Sequence, residues 1–171
     1  DEILLKEEST GICGSDKHMF AGHMKLQFPI IAGHELVGVL EEMGPKAAEE
    51  MAIVGGPIAV GDRITTTPSS TACGKCWYCL HMPQRPTLCT DRYVHGFVSS
   101  DVAPAPRGGF SQYMHLTKRS WIFKIPDGLS SEIAVLTEPA AVATRAVERA
   151  LAPGIPHIAE GLGMDKSVLV L

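Results

Sequence analysis

Short runs of strand-forming residues broken by glycine and proline recur along the chain. They fall at residues 3–9 (ILLKEES), 30–40 (IIAGHELVGVL), 62–68 (DRITTTP), 108–117 (GGFSQYMHLT) and 121–126 (WIFKIP). In the second run Ile30, Ile31, Leu36, Val37, Val39 and Leu40 favour strand, which places His34 on a stiff extended element. Only one long stretch has helical spacing. Residues 138–151 (EPAAVATRAVERAL) are alanine-rich, and Pro139 suits a first helical turn. The pattern predicts a mainly β fold with short helices, in the form of a partly open β-barrel. Residues 44–62 (GPKAAEEMAIVGGPIAVGD) form a long connection, read as an inserted helix or a mobile segment. The last six residues, KSVLVL, read as one more strand.

Composition narrows the class of partner. The 171 residues suit one domain or one and a fraction, and the 17 glycines and 12 prolines favour a loop-rich, strand-rich fold. A net charge of -4 with scattered basic residues argues against nucleic acid or an anionic membrane as partner. No apolar run reaches the length needed to span a bilayer, and the acidic start DEILLKEEST lacks the order of a signal peptide. A reducing, cytoplasmic setting is the default.

The five cysteines pose two separate questions. Cys73, Cys76, Cys79 and Cys89 have the spacing C-x2-C-x2-C-x9-C. Thiolates are preferred ligands of a closed tetrahedral zinc site, and a two-residue gap lets one tight turn aim two sulfurs at one ion. A redox-active thiol set is the competing reading, since C-x-x-C also occurs in oxidoreductases. Three cysteines at three-residue intervals with a fourth nearby fit metal better. Four thiolates around Zn2+ leave a formal charge of about -2, which Lys75, Arg85 and Arg92 stand close enough in sequence to offset. Such a closed site shapes a loop and does no chemistry.

Cys13 lies in GICGSDKH, and twenty residues later comes the triplet Gly33-His34-Glu35. A catalytic zinc takes three protein ligands and keeps one position open. Taken alone, His34 reads as a structural histidine and Cys13 as a small buried hydrophobe. Beside a four-cysteine lobe they read as two ligands of a second zinc. Ser15 and Asp16 also suit the start of a helix, as cap and stabilising acid, and His18 suits an exposed helix position. His23, His81, His95, His115 and His157 belong to no motif and read as surface or packing residues.

The ordered series GICGSD, PIIAGHELVGVL, VGDRI, the four-cysteine lobe, GGFSQY and LTEPAAVATRAV resembles the catalytic domain of zinc-dependent medium-chain alcohol dehydrogenases. The likeness runs from about Glu2 to Ala150. It implies a GroES-like barrel over residues 1–150 with a zinc lobe at 73–89, then a linker and the first strand of a Rossmann domain at 151–171. No G-x-G-x-x-G follows KSVLVL, and the GLGMDK before it is given no phosphate role. The chain is therefore expected to stop short of the nucleotide-binding domain, and alone to bind zinc without turnover.

The resemblance further implies a catalytic zinc on Cys13, His34 and a carboxylate. Glu138 of the TEP segment looks like the sorbitol, threonine and polyol branch, and Glu35 competes for the same role. It implies that Asp16 accepts a hydrogen bond from His34, that Ser15 contacts the substrate hydroxyl, and that His18 passes the proton to solvent. Two zinc ions per chain, NAD or NADP in the whole enzyme, an alcohol or polyol substrate and a homo-oligomer complete the expectation. The rival is a non-enzymatic module that uses the four-cysteine lobe as a structural or interaction element.

Overall fold

The computed structural model describes residues 1–151. KSVLVL, GLGMDK and His157 lie outside the described residues. Six strands form one mixed sheet: β1 (Ile3–Gly11), β2 (Glu35–Met43), β3 (Ala52–Val54), β4 (Arg63–Thr66), β5 (Tyr113–Leu116) and β6 (Trp121–Lys124). Their order is β3-β6-β4-β2-β1-β5, so the sheet is open, with β3 and β5 at its edges. All pairings are antiparallel except β3 with β6. The helices are short: α1 (Gly14–Phe20), α2 (Ala47–Glu50), α3 (Trp77–His81) and α4 (Ser131–Ala134), followed by the longer α5 (Thr137–Leu151). Among the described residues, Asp1–Thr137 is one compact unit and residues 138–151 belong to a second. Among the described residues no helix is long and apolar enough to cross a membrane.

Central β2 is covered on both faces, as its unbroken apolar run requires. Leu36 and Leu40 point into the main core with Ile3, Leu5, Ile64, Met114, Leu116 and Ile122. Val37 points the other way, onto Ile125 and Ala134. The VGDR segment fastens this layer. Asp62 pairs with Lys124 at 2.8 Å, while Arg63 donates to Glu8 at 2.8 Å, to Ser131 at 2.7 Å and to the Leu129 carbonyl.

Two expectations change. The run at 30–40 is not one strand: β2 begins at Glu35, Ile30 makes only an isolated bridge to Ser99, and His34 sits just ahead of the strand. Gly33 causes the break, because its φ of +92° leaves the extended region. The connection at 44–62 does carry a short inserted helix, α2, and beyond that reading it is built into the fold. Ala47, Met51 and Ile58 enter the core, and Ala52–Val54 supplies the edge strand β3.

One core-facing position is acidic. Glu7 follows Ile3 and Leu5 at strand period, and its carboxylate oxygens are shut off from solvent with no hydrogen-bond partner among the described residues. Burial pushes its pKa from 4.5 up to about 8. The folded chain therefore holds a proton that the unfolded chain releases, and stability falls as pH rises from 4.5 to about 8. Glu7→Gln keeps the shape and removes the titration. It should stabilise the chain at pH 8 by on the order of 2 kcal/mol and flatten the dependence of Tm on pH. Equal slopes for wild type and variant would sink this account.

Candidate metal centres

The lobe lies in the long excursion between β4 and β5. Cys73 precedes a tight turn, Cys76 caps α3, Cys79 lies within α3, and Cys89 follows a single 3-10 turn at Pro86–Leu88. All four are free thiols, and their sulfurs lie within 4.8 Å of one another. Cys73 and Cys79 Sγ are 3.8 Å apart, and Cys76 and Cys79 Sγ are 3.4 Å apart. A tetrahedron with Zn–S bonds of about 2.3 Å has edges of about 3.8 Å, so the spacing is close to what a zinc ion requires.

Backbone amides, rather than the nearby lysine and arginines, hold the sulfur charge. Cys76 N–H donates to Cys73 Sγ and Cys73 N–H donates to Cys89 Sγ, each at 3.3 Å. Backbone donors, first that of Thr90, hold the Cys76 thiol down to about 5. The Cys73 amide likewise lowers Cys89, whereas desolvation lifts Cys79 to about 11. Arg92 donates to Ser69 at 3.0 Å. A cavity of about 480 Å³ beside the lobe, walled by Pro86, Thr87, Trp121 and Phe123, includes no candidate ligand.

The second set depends on the β1–β2 pairing. Gly11, last in β1, is the partner of Glu35, first in β2. Cys13 begins α1 just beyond Gly11, and His34 just precedes Glu35. Ligand atoms of Cys13, His34 and Glu35 lie within 4.8 Å of one another. A side chain at residue 11 would run into the Glu35 carboxylate at 2.4 Å, so glycine leaves it its place. One thiolate and one carboxylate would neutralise a divalent cation and leave imidazole as third donor, which suits zinc.

Asp16 ties the two loops together. Its buried carboxylate accepts from Cys13 N–H at 2.8 Å and from Gly33 N–H at 3.3 Å. It lies 3.5 Å from His34 Nδ1, but the donor geometry of a hydrogen bond is not met, and Nδ1 is buried without one among the described residues. The hydrogen bond expected between the two side chains is therefore not formed. The ring of Phe97 packs against His34 with centroids 5.3 Å apart. Ser15 Oγ is 3.9 Å from Cys13 Sγ. His18 is exposed, and its Nδ1 meets that of His23 at 3.2 Å. Glu138 stands in the first turn of α5, in the second unit.

Sequence reading named the members of both clusters but missed one pairing. His23 pairs with His18, at a spacing that no motif marks. Buried His95 was read as a packing residue, which it is. Its Nε2 lies 3.2 Å from Ser120 Oγ, and burial, with Arg107 second, lowers its pKa to about 3.

The alcohol dehydrogenase GroES-like domain matches residues 1–127. The chain belongs to that family. The chain is 36% identical to a sorbitol dehydrogenase of Bacillus subtilis over 168 residues, 95% of the chain and 42% of the relative. An alcohol dehydrogenase from Thermotoga maritima superposes with TM-score 0.73 at 30% identity, covering 86% of this chain and 40% of that one. A protein described as a zinc-binding dehydrogenase, from Sinorhizobium meliloti and bound to NADP, gives TM-score 0.70 at 30% identity over 90% and 40%. The chain thus spans about two-fifths of the length of these relatives.

The geometry of the GroES-like domain's lobe makes a direct prediction. A thiol-reactive disulfide should leave Cys73, Cys76, Cys79 and Cys89 unmodified until a strong zinc chelator is added, then modify all four together. Immediate modification of all four before chelation would exclude a metal-filled lobe.

Proposed function

We propose that residues 1–150 act as the catalytic domain of a zinc-dependent dehydrogenase that moves hydride between an alcohol or polyol and NAD or NADP. The observation that carries this reading is the convergence of Cys13, His34 and Glu35 within 4.8 Å, in a fold whose relatives are alcohol and polyol dehydrogenases. A substrate of polyol type follows the sorbitol dehydrogenase likeness. The whole protein is proposed to work as a homo-oligomer in a reducing, cytoplasmic setting that keeps the five cysteines out of disulfides.

In this reading Cys13, His34 and a carboxylate hold the catalytic zinc, and Cys73, Cys76, Cys79 and Cys89 hold a structural one. Zinc at the first set supplies Lewis acidity toward an alcohol hydroxyl, and the nicotinamide supplies a hydride acceptor. Ser15, two residues from Cys13, accepts the proton that the hydroxyl loses, and exposed His18 delivers it to solvent. Asp16 is a positioning residue. It fixes Cys13 and Gly33 through their amides and places negative charge beside His34. Glu35 is the favoured carboxylate because it joins Cys13 and His34 in one cluster, and Glu138 is the alternative.

Elemental analysis of the chain purified without added metal tests the reading. Two zinc ions per chain are expected, falling to one in Cys13→Ser and His34→Gln with the fold retained. Glu35→Gln should lower occupancy of the catalytic zinc, and Glu138→Gln should not; the reverse result transfers the ligand role to Glu138. A single zinc in the wild-type chain, lost on Cys89→Ser, would replace this reading with that of a structural zinc module.

A further inference from the structure

Helix α1 ends in a turn that brings two imidazoles face to face. His23 N–H donates to the His18 carbonyl at 2.9 Å, Gly22 N–H donates to the Met19 carbonyl at 3.0 Å, and Gly22 has φ of +73°. These are the paired bonds of a Schellman motif, with glycine at its left-handed position. In that motif the residue after the glycine makes a contact, usually apolar, with the residue that supplies the far carbonyl. Both positions are histidine here. Their Nδ1 atoms are 3.2 Å apart, with ring centroids at 5.5 Å and planes tilted by 44°. Both residues are exposed, while Met19 between them is buried and anchors the helix end.

Two nitrogens bound to one cation at about 2.0–2.1 Å stand about 2.9–3.4 Å apart, depending on square-planar or tetrahedral geometry. The His18–His23 separation falls inside that range. We propose that His18 and His23 form a two-imidazole clip for a divalent transition-metal cation, at a place distinct from both zinc ligand sets. Imidazole donors select Cu2+, Ni2+ and Zn2+ over Mg2+ or Ca2+, and water completes the coordination. The backbone turn sets the separation before any ion arrives, so little ordering is left to oppose binding. Without metal, one Nδ1–H donates to the other ring and keeps the pair together. The clip rests on this geometry alone. Under the function proposed above, a cation held there would also occupy His18 and close the proton route.

Nickel is the probe, because it does not oxidise the chain's thiols as copper does. The zinc-replete full chain is titrated with Ni2+ at pH 7.5 by calorimetry, and broadening of the His18 and His23 ring protons is followed by NMR. One Ni2+ per chain is expected, with both rings broadened together. Affinity should fall by about tenfold or more in His23→Gln and in His18→Gln, each checked for fold by circular dichroism. Gly22→Ala keeps both imidazoles and strains the turn, so it should weaken binding with the histidines intact. Nickel binding that is unchanged by both histidine substitutions, or no binding by the wild-type chain, overturns the clip. Full affinity in Gly22→Ala overturns the role given to the turn. Zinc counting and nickel binding are independent readouts, so failure of the clip is distinguishable from failure of the dehydrogenase reading.

Discussion

Antiparallel pairing of β1 with β2 is the constraint on which the rest of the structure depends. It turns a separation of twenty residues into contact, because the end of one strand must lie beside the start of the other. Gly11 opposite Glu35 fixes the register, and Cys13 and His34 then come together just beyond the ladder. A one-residue slip would move the Leu36 and Leu40 face out of the core and carry His34 away from Cys13. The same packing that buries the sheet thus aims the donors, and Asp16 reinforces it by holding an amide from each loop.

The two donor sets answer their charge problems differently. In the lobe up to four thiolates share a small volume, and backbone N–H groups soften their repulsion whether or not a cation is present. At the other set a thiolate from one segment meets an imidazole and a carboxylate from another, and their sum matches a divalent charge. A closed cage of four sulfurs suits support. A three-donor set with a hydroxyl and an exposed imidazole close by in sequence suits exchange with a ligand.

Much of this was legible in sequence, for reasons that differ by element. The lobe is local: its spacing states its geometry, so all four cysteines were found. The strands at 3–9, 62–68 and 121–126 showed their β-rich composition, and the helix at 138–151 its alanine and spacing. The place of His34 was misjudged because strand composition outvoted Gly33, whose positive φ ends the extended run. Edge strand β3 was missed because its partner, β6, is nearly seventy residues away and the pairing is parallel. The burial of Glu7 is implied by period two, but a carboxylate at that phase reads as solvent-facing. Sequence left Glu35 and Glu138 level as the carboxylate, since both flank plausible ligand segments; the structure adds that Glu35 clusters with Cys13 and His34.

The main core draws on Ile3 through Ile64 and on Met114 through Ile122, and on nothing from the excursion between them. The lobe is therefore shaped by its sulfurs rather than by the main core, and hydrogen bonds between Arg119 and the Thr71 and Asp91 carbonyls tie it to the turn between β5 and β6. Metal availability and redox state thus reach the unit through the lobe's sulfurs, whereas heat and denaturant reach it through the apolar burial of the sheet.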